Sequence, residues 1–413
     1  MAYLFENEIT MKKQRVAIIG TVGLPAKYGG FETLTEHLVS QLSDRYDFTV
    51  YCSQKKYDVA ERLTEYKGAK LEYINLEANG VQSIFYDTIS ILKALKNHDV
   101  LLILGVAGAW ILPWVKWFTS KKIIISIDGI EWKRDKWSFA ARLYLWWAEK
   151  IAVKYSHVDI SDNESIQDYT AIRYKTLSKV IEYGADHTMS ITPTAEDCQK
   201  YPFLLSDYAV KVCRIEPENN VEMVLEAFKN YGQLRLVMVG NWNNSAYGRE
   251  LKGKYASVKN IELFDPIYNQ REIDLIRGNA TIYVHGHSAG GTNPSLVEAM
   301  YLGLPIMAFQ VSYNKTTTEN QALYFTDSSS LQTLLHQSTA STLARVSKAM
   351  KTISSLRYTW SLVAEKYSRL FQVSEEKELK TTTQNPFESI DADFLERLEL
   401  GHLKNTYRFY EKR

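Results

Sequence analysis

Short apolar segments alternate with segments of helical spacing along most of this chain, and that alternation restricts its fold more than any other feature. It comes in two runs, one from residue 15 to about 185 and one that begins near Tyr208. Strands that alternate with helices form parallel sheets with helices on both faces. We therefore predict an α/β fold with two Rossmann-like domains. The predicted strands are residues 16–20, 48–52, 70–74, 100–104, 122–126, 157–160, 209–213, 234–239, 261–263, 281–284 and 305–308.

Polar and turn-forming residues collect between Asp186 and Ser206, where the two runs meet. In open α/β sheets ligands bind at the carboxyl ends of the strands, so two such domains facing each other would share one cleft. We expect four parts: a first domain at residues 11–187, a second domain at 188–353, an amphipathic helix at 354–371 that packs back toward the first domain, and a polar linker with a terminal helix of unknown role at 372–413.

A glycine-rich stretch at residues 288–300 lies between a predicted strand and a predicted helix. Gly290 and Gly291 let the backbone come close to a ligand. Thr292 or Asn293 can cap the helix, and the proline that follows fits its first turn. Exposed amides at the positive end of a helix suit a diphosphate. This stretch therefore predicts an anion-binding loop.

A second glycine-rich stretch, at residues 20–30, joins the first predicted strand to a segment with helical spacing. Its glycines, Gly20, Gly23, Gly29 and Gly30, do not make the G-x-G-x-x-G pattern of dinucleotide-binding folds, and no Gly-Lys-Ser/Thr follows as in P-loop enzymes. Two interpretations stay open for Gly29 and Gly30, namely a tight turn or a lining of the cleft.

Composition narrows the class of partner. The chain has 413 residues, with 49 Lys and Arg against 48 acidic residues and a formal net charge of +1, which gives no overall attraction to nucleic acid.

Three widely spaced cysteines indicate a reducing compartment. No secretory signal pattern opens the sequence. The uncharged residues 100–115 are fewer than the roughly 20 that a spanning helix needs, so we expect a strand, a glycine turn and a helix start there.

Seven of the nine tryptophans lie between Trp110 and Trp147. Residues 116–154 carry nine Lys and Arg against four acidic residues, a local surplus of five positive charges. Tryptophan beside basic residues is typical of the interface of an anionic membrane. The alternative interpretation is that these tryptophans fill the core of the first domain.

Several segments together resemble the GT-B glycosyltransferases of the retaining GT4 family, over roughly residues 15–371. Residues 213–220 resemble the family's "Gly-Arg … Glu-Lys-Gly/Asn" segment, and residues 280–308 resemble its "E-G-F-G-L-x-x-x-E-A-M" block. Finer details resemble one subgroup, the bacterial rhamnosyltransferases of capsule and cell-wall polysaccharide synthesis in streptococci and their relatives. The segments that carry this finer resemblance are residues 28–32, 128–134, 214–220 and 290–295.

The resemblance implies a GT-B fold, in which an acceptor-side domain faces a nucleotide-sugar donor domain across a cleft. It implies a retaining hexosyltransferase that moves L-rhamnose from dTDP-β-L-rhamnose to a polyprenyl-pyrophosphate-linked sugar in a β-1,4 linkage. It also implies that no cofactor and no metal is required, and that the protein is cytoplasmic and peripheral on the inner face of the cell membrane. Whether the protein forms a homodimer stays an open question.

Three positions depart from the wider family. The earlier of its paired glutamates is Gly290 here, so only Glu298 remains, and a 6-deoxy sugar such as rhamnose has fewer hydroxyls to hold. The usual phosphate-binding lysine is Asn219, which leaves Arg214 as the main cation for the diphosphate. Asp128 stands about where the family often has a histidine.

The predicted site residues are carried over from these matches. We predict Asp128, Glu131 and Arg214 as the catalytic groups. The residues expected to contact the donor are Gly29, Gly30, Arg214, Asn219, Gly290, Gly291, Thr292, Asn293, Ser295, Leu296 and Glu298, the last through a ribose hydroxyl. The residues expected to contact the sugar or the acceptor are Tyr28, Trp132, Lys133, Asp162 and His285.

Simpler roles exist for some of these side chains. Arg214 could form a surface ion pair with Glu216 or Glu218, and Glu298 could merely complement the helix dipole. Two other functions also stay open. One is a GT4 transferase that uses a UDP-sugar donor. The other is a non-catalytic nucleotide-sugar-binding partner, which only the missing glutamate at Gly290 supports.

Overall fold

The computed structural model describes residues 13–27, 29–127, 129–133, 137–372 and 380 of the chain. These residues form two separate sheets, one from each run of alternating segments, with eight strands in the first and six in the second. Nearly all neighbouring strands are parallel, so the predicted α/β class is confirmed.

The first sheet is built from residues 14–180. Its strands are β1 (Gln14–Ile19), β2 (Tyr46–Ser53), β3 (Glu65–Tyr66), β4 (Ala69–Ile74), β5 (Val100–Leu104), β6 (Lys122–Ser126), β7 (Val158–Ser161) and β8 (Lys179–Val180). Their order in the sheet is β3-β4-β2-β1-β5-β6-β7-β8, and only the edge strand β3 pairs antiparallel. The connecting helices are α1 (Gly30–Leu42), α2 (Ser83–Ala94), α3 (Leu112–Phe118), α4 (Phe139–Tyr155) and α5 (Glu164–Tyr174).

The second sheet is built from residues 208–325. Its strands are β9 (Tyr208–Val212), β10 (Arg235–Val239), β11 (Ile261–Phe264), β12 (Ile282–His285), β13 (Ile306–Phe309) and β14 (Leu323–Phe325), in the order β11-β10-β9-β12-β13-β14. The helices of this half are α6 (Ala195–Lys200), α7 (Val221–Tyr231), α8 (Ala246–Tyr255), α9 (Gln270–Gly278), α10 (Pro294–Tyr301), α11 (Ser312–Thr317), α12 (Ser328–Gln337), α13 (Ala340–Arg357) and α14 (Trp360–Phe371).

The central strands are mostly apolar because helices cover both faces of each sheet, with Lys211 of β9 and His285 of β12 as buried polar exceptions. All five residues of β5 are buried. In β1, Val16 and Ile18 belong to one hydrophobic cluster, while Ala17 and Ile19 belong to the cluster on the opposite face. The predicted strands are confirmed to within two residues at each end, and residues 100–115 form the expected strand, turn and helix start.

The closing helix differs from the sequence prediction. Residues 354–357 end α13, and a new helix, α14, begins at Trp360, so the predicted start at residue 354 is wrong. The break is stabilised by the linker between the sheets, because Ala185 N–H donates to Tyr358 O at 2.8 Å and Trp360 N–H donates to Asp186 Oδ1 at 2.7 Å. Helix α14 then packs against α1 of the first domain.

Candidate functional site

The glycine-rich loop of the second domain connects the carboxyl end of β12 to the first turn of α10. Asn293 precedes the helix, and its side-chain oxygen accepts a hydrogen bond from Ser295 N–H at 3.1 Å. Ser295 Oγ donates to the same oxygen at 2.7 Å. Pro294 is the first helical residue. Asn293 is therefore the helix cap, and Thr292, the other candidate, has a different role.

Thr292 ties this loop to the first domain. Its Oγ1 donates to the backbone O of Asp162 at 2.5 Å, and Asn163 Nδ2 donates to Thr292 Oγ1 at 3.3 Å. Asp162 and Asn163 directly follow β7, so strand ends of the two sheets meet at this point. Gly291 makes the closest approach, because a Cβ added to it would lie 1.9 Å from Asp162 Oδ1.

Gly290 lies beside the strand end of β6. It has a φ of 121°, a conformation that favours glycine. A Cβ added to Gly290 would meet no atom of the described residues within 4 Å, whereas a Cβ added to Gly129 would lie 3.4 Å from Gly290 Cα. The loop that follows β6 and leads to Glu131 therefore reaches the glycine loop of the second domain.

Glu32 organises the glycine-rich loop of the first domain, a role that the sequence pattern did not reveal. Its buried carboxylate accepts hydrogen bonds from Val22 N–H at 2.7 Å and from Thr21 Oγ1 at 3.1 Å. Gly29 precedes α1 with a φ of 136°, and a Cβ there would lie 1.8 Å from Glu32 Oε2. Gly30 is the first residue of α1. The turn itself therefore requires glycine at position 29.

Arg214 and Asn219 lie in the loop that follows β9. The Arg214 side chain is 35% exposed, and its Nη2 lies 3.9 Å from Glu216 Oε2, which makes a loose ion pair. Asn219 is buried, and its Nδ2 donates to the backbone O of Arg214 at 2.7 Å. Asn219 therefore fixes the loop that carries the guanidinium.

Glu298 lies in α10 within a buried charge cluster. Its Oε2 accepts a hydrogen bond from Arg277, which also pairs with Asp274 at 3.2 Å. Its Oε1 lies 3.3 Å from His187 Nε2. Burial opposes ionisation of Glu298, but the charge of Arg277 and the hydrogen bond from His187 outweigh it and lower the pKa of Glu298 to about 2. A ribose hydroxyl would meet an ionised carboxylate that two side chains already orient.

His187 connects this cluster to the first domain. Trp360 Nε1 donates to His187 Nδ1 at 3.0 Å, which places the proton of a neutral His187 on Nε2, toward Glu298. Trp360 also stacks on His37 of α1, with ring centroids 4.1 Å apart. Burial and then the neighbouring His187 lower the pKa of His37 to about 4. The linker thus joins α1 to the predicted ribose-binding carboxylate.

Glu131, Trp132 and Lys133 form a short helix after β6. Trp137 Nε1 donates to Glu131 Oε1 at 2.9 Å. Trp132 Nε1 donates to the hydroxyl of Tyr169 in α5 at 2.8 Å, and Lys133 Nζ lies 5.6 Å from the centre of the Trp132 ring. Trp132 therefore packs against its own domain.

The remaining predicted contacts fall in different places. Leu296 is fully buried in the core, and His285 is fully buried with its ring stacked on His287 at a centroid distance of 4.3 Å. Neither side chain is exposed to a ligand in this structure. Asp128 and Tyr28 lie outside the described residues. Within the described ranges, no group of three or more His, Cys, Asp and Glu side chains is arranged to hold a metal ion.

The tryptophan-rich segment forms a surface. The core interpretation is wrong for five tryptophans, each at least about a third exposed: Trp110, Trp114, Trp117, Trp146 and Trp147. Further exposed apolar side chains lie on α2, α3 and α4, namely Phe85, Ile89, Leu92, Phe118, Phe139 and Leu143. We call these eleven side chains the aromatic face. No helix in the described part of the chain is long and apolar enough to cross a membrane.

Comparison with protein families finds two matches. Residues 13–186 match a family described as a domain of unknown function (DUF1972), and residues 202–337 match the family described as glycosyl transferases group 1. The second match covers the whole second sheet together with α10 and its glycine loop. No curated protein sequence matches the chain.

Solved structures share the whole architecture. Sucrose-phosphate synthase from Thermosynechococcus elongatus superposes with a TM-score of 0.72 at 13% identity, over 87% of this chain and 98% of that chain. Anabaena Alr3699/HepE, in complex with UDP and glucose, gives 0.68 at 14% identity over 87% and 99%. The catalytic domain of starch synthase IV from Arabidopsis thaliana, bound to ADP and acarbose, gives 0.64 at 13% over 87% and 99%. The predicted GT-B fold with two Rossmann-like domains is confirmed.

Proposed function

We propose that this protein is a retaining glycosyltransferase that moves L-rhamnose from dTDP-β-L-rhamnose to a lipid-pyrophosphate-linked sugar, because residues 202–337 match the glycosyl transferases group 1 family. The linkage formed is β-1,4, and the product is a bacterial surface polysaccharide. One observation carries the proposal: the loop at residues 286–293 opens onto the first turn of α10 and lies against the strand ends of the other sheet. That geometry suits a diphosphate held between two domains.

The diphosphate of the donor is the group that this loop would stabilise. Negative charge builds on the β-phosphate as its bond to the sugar C1 breaks. Main-chain N–H groups before α10 and the positive end of that helix favour such charge. Arg214 adds a guanidinium from the strand end of β9. Groups fixed before the reaction stabilise charge where it develops, at little cost of reorganisation.

Retention of configuration places the acceptor on the face from which the phosphate leaves. The departing phosphate oxygen takes the proton of the acceptor hydroxyl, so the carboxylate pair of glycoside hydrolases is not required. Glu131 is the described acid closest in sequence to Gly129, whose loop contacts Gly290. We assign Glu131, together with Asp128, to the acceptor side of the reacting centre.

Gly290 supports a deoxy sugar as the transferred group. The φ of 121° at Gly290 favours glycine although a Cβ there would meet no described atom within 4 Å, so this loop conformation leaves the chain without a carboxylate at the position. A sugar without a 6-hydroxyl has one fewer group to bind. A UDP-sugar is the second candidate donor, because the Anabaena neighbour was solved with UDP and glucose.

The aromatic face supports a membrane-bound acceptor. Trp117 and Phe118 are 64% and 79% exposed at the end of α3, and Phe139 at the start of α4 is 83% exposed. Lys116 lies between the exposed tryptophans of α3, and Lys154 lies near the end of α4. Aromatic rings with neighbouring lysines suit the interface of an anionic bilayer, where a polyprenyl-linked sugar would be met.

Turnover measured with a panel of donors tests the proposal. dTDP-rhamnose, UDP-glucose and UDP-N-acetylglucosamine are each incubated with the protein and a lipid-pyrophosphate-linked monosaccharide or disaccharide. We expect transfer from dTDP-rhamnose. Arg214→Ala should reduce kcat/KM on the order of a hundredfold or more, because it removes a charged contact to the leaving phosphate. Arg235→Ala is the matched control, because Arg235 is about as exposed as Arg214 and pairs with Glu262 elsewhere in the domain. Transfer from a UDP-sugar alone would overturn the donor assignment.

Sedimentation with liposomes tests the membrane assignment. The double variant Trp117→Ser/Phe118→Ser should bind vesicles that contain anionic lipid at least about tenfold more weakly, since two large apolar side chains no longer leave water. Leu205→Ser is the control, because Leu205 is 76% exposed in the second domain. Equal retention of all three proteins would contradict a role for the aromatic face.

A further inference from the structure

Lys211 is a fully buried lysine in β9, three residues before Arg214. Its Nζ has no hydrogen-bond partner among the residues that the structure describes. Removing an ammonium group from water without a partner costs several kcal/mol, so this lysine does not help the free protein to fold. A buried, unpartnered ionisable group at a strand end is typical of functional sites.

The tip of Lys211 lies where the two loops of the proposed donor site converge. Gly286 begins the glycine loop after β12, and a Cβ added to it would lie 2.7 Å from Lys211 Nζ. The same Cβ would lie 2.5 Å from the backbone O of Asn219, in the loop that carries Arg214. The lysine is thus packed under both loops at once.

The titratable groups around Lys211 do not compensate its charge. Burial lowers the pKa of Lys211, and only the Cys213 thiol acts in the opposite direction. Burial raises the pKa of Cys213, so this thiol stays neutral near pH 7. His285, on the adjacent strand, is fully buried, and burial followed by the charge of Lys211 lowers its pKa well below the usual range. The next loop carries two acids, Glu216, which pairs with Arg214, and Glu218, whose backbone O accepts hydrogen bonds from Ser288.

We propose that Lys211 is a second cation of the donor site, which lies beneath the phosphate loops and is held in its charged form by the bound diphosphate. This inference rests on the proposed function and extends it. Lys211 acts through the loops and through its electric field, so it is a positioning residue. When the anion binds, the protonated fraction of Lys211 rises, and the added protons come from solvent.

The sign of the pH dependence follows from this linkage. The free protein has a lysine pKa below the ordinary 10.5, and the bound anion raises it again. Affinity for the anion should therefore fall as the pH rises through the lowered pKa of the free protein. Proton uptake should appear in calorimetry as a binding heat that depends on the ionisation enthalpy of the buffer.

Calorimetric titration with inorganic pyrophosphate, dTDP and UDP, between about pH 7 and pH 9, tests the inference. Lys211→Met keeps an unbranched side chain, one atom shorter, and removes the amino group. We expect it to bind pyrophosphate at least about tenfold more weakly, without proton uptake. We also expect it to melt at a higher temperature, because a buried amino group without a hydrogen-bond partner is gone. Lys229→Met, at a half-exposed lysine of α7, is the matched control.

The outcomes separate this inference from the proposed function. If wild-type protein and Lys211→Met bind pyrophosphate equally and with the same pH dependence, the inference is wrong and the proposed function stands. If Lys211→Met loses stability along with binding, Lys211 is a structural residue and the inference is wrong. If His285→Gln abolishes proton uptake while Lys211→Met keeps it, the proton belongs to His285. If the wild-type protein binds none of the three ligands, the proposed function fails and the inference fails with it.

Discussion

The two glycine-rich loops make the same connection, from a parallel strand to a helix, but have different support. In the first domain, Glu32 of α1 folds back onto the loop that precedes its own helix. In the second domain, Glu298 of α10 is directed to Arg277 and His187, while the loop before the helix is held by hydrogen bonds with Asp162 and Asn163 of the other domain. The first loop is stabilised within its domain, whereas the second is held by its own domain at residues 286–288 and by the other domain at Thr292.

This difference predicts different responses to domain motion. A loop held by its own helix keeps its shape when the domains open. A loop held from across the cleft loses part of its support, so the anion site at α10 is complete only when the two sheets approach each other. Hinge closure around a ligand commonly assembles a site in this way. We therefore expect substitutions in the first loop to change stability and substitutions in the second loop to change ligand binding.

Among the variants, Glu298→Gln should lower the free energy of unfolding the most. It tests whether the carboxylate of Glu298, unlike that of Glu32, stabilises a charge cluster away from its own loop. It removes a charge that compensates the buried Arg277, and breaking a buried ion pair typically costs about 3–5 kcal/mol. The pKa of Glu298 is lowered to about 2 in the folded protein, from an ordinary 4.5. This stabilisation is therefore present above the unfolded pKa and is lost as the pH falls through the folded pKa.

Denaturant unfolding at pH 7 and at acidic pH measures both effects of Glu298→Gln. Glu222→Gln is the control, because its ion pair with Lys254 is about half exposed and such pairs contribute about 0–1 kcal/mol. If Glu298→Gln lowers the free energy of unfolding no more than Glu222→Gln does, the buried cluster does not stabilise α10.

Gly29→Ala should break the self-contained loop of the first domain. Alanine would have to adopt a φ of 136° and would meet the Glu32 carboxylate at 1.8 Å. Strain of this kind costs about 1–3 kcal/mol, measurable as a lower free energy of unfolding. Gly253→Ala in α8, where a Cβ meets no described atom within 4 Å, should leave stability unchanged or raise it slightly. Equal stability of the two variants would contradict the assigned role of Glu32.

Gly291→Ala should affect transfer rather than stability, the reverse of Gly29→Ala. We expect a nearly unchanged free energy of unfolding and a kcat/KM about tenfold lower, which corresponds to about 1.4 kcal/mol. Its added Cβ would lie 1.9 Å from Asp162 Oδ1, so the domains could not approach as closely. Thermal melting and kcat/KM for the donor check the two halves of this expectation. Lost stability with intact transfer would show that the second loop is not supported across the boundary.

The sequence was sufficient for the eleven longer strands and for the local chemistry of α10. Strand positions follow from apolar runs that any parallel sheet must bury, and Asn293 caps α10 through a bond to its near neighbour Ser295. The short strands β3, β8 and β14 have two or three residues each and leave no periodic signal. The partners of Glu298 could not be found in this way, because Arg277 and His187 are distant in sequence and meet Glu298 only in the folded chain.

The break between α13 and α14 was missed for a similar reason. Residues 354–371 have continuous helical spacing, but the linker residues Ala185 and Asp186 form hydrogen bonds with Tyr358 and Trp360 at the break. The sequence also did not decide whether the tryptophans of the aromatic face are buried or exposed, since their spacing is the same whether the rings face a core or a membrane.

A crystal structure with dTDP bound tests the central claim most directly. We predict the diphosphate at the first turn of α10, within hydrogen-bond distance of main-chain N–H groups of residues 290–293 and of the Arg214 guanidinium, with the strand ends of the first sheet closed over it. A diphosphate bound elsewhere, or bound at α10 with Arg214 still turned to Glu216 and the first domain apart from it, would contradict the account.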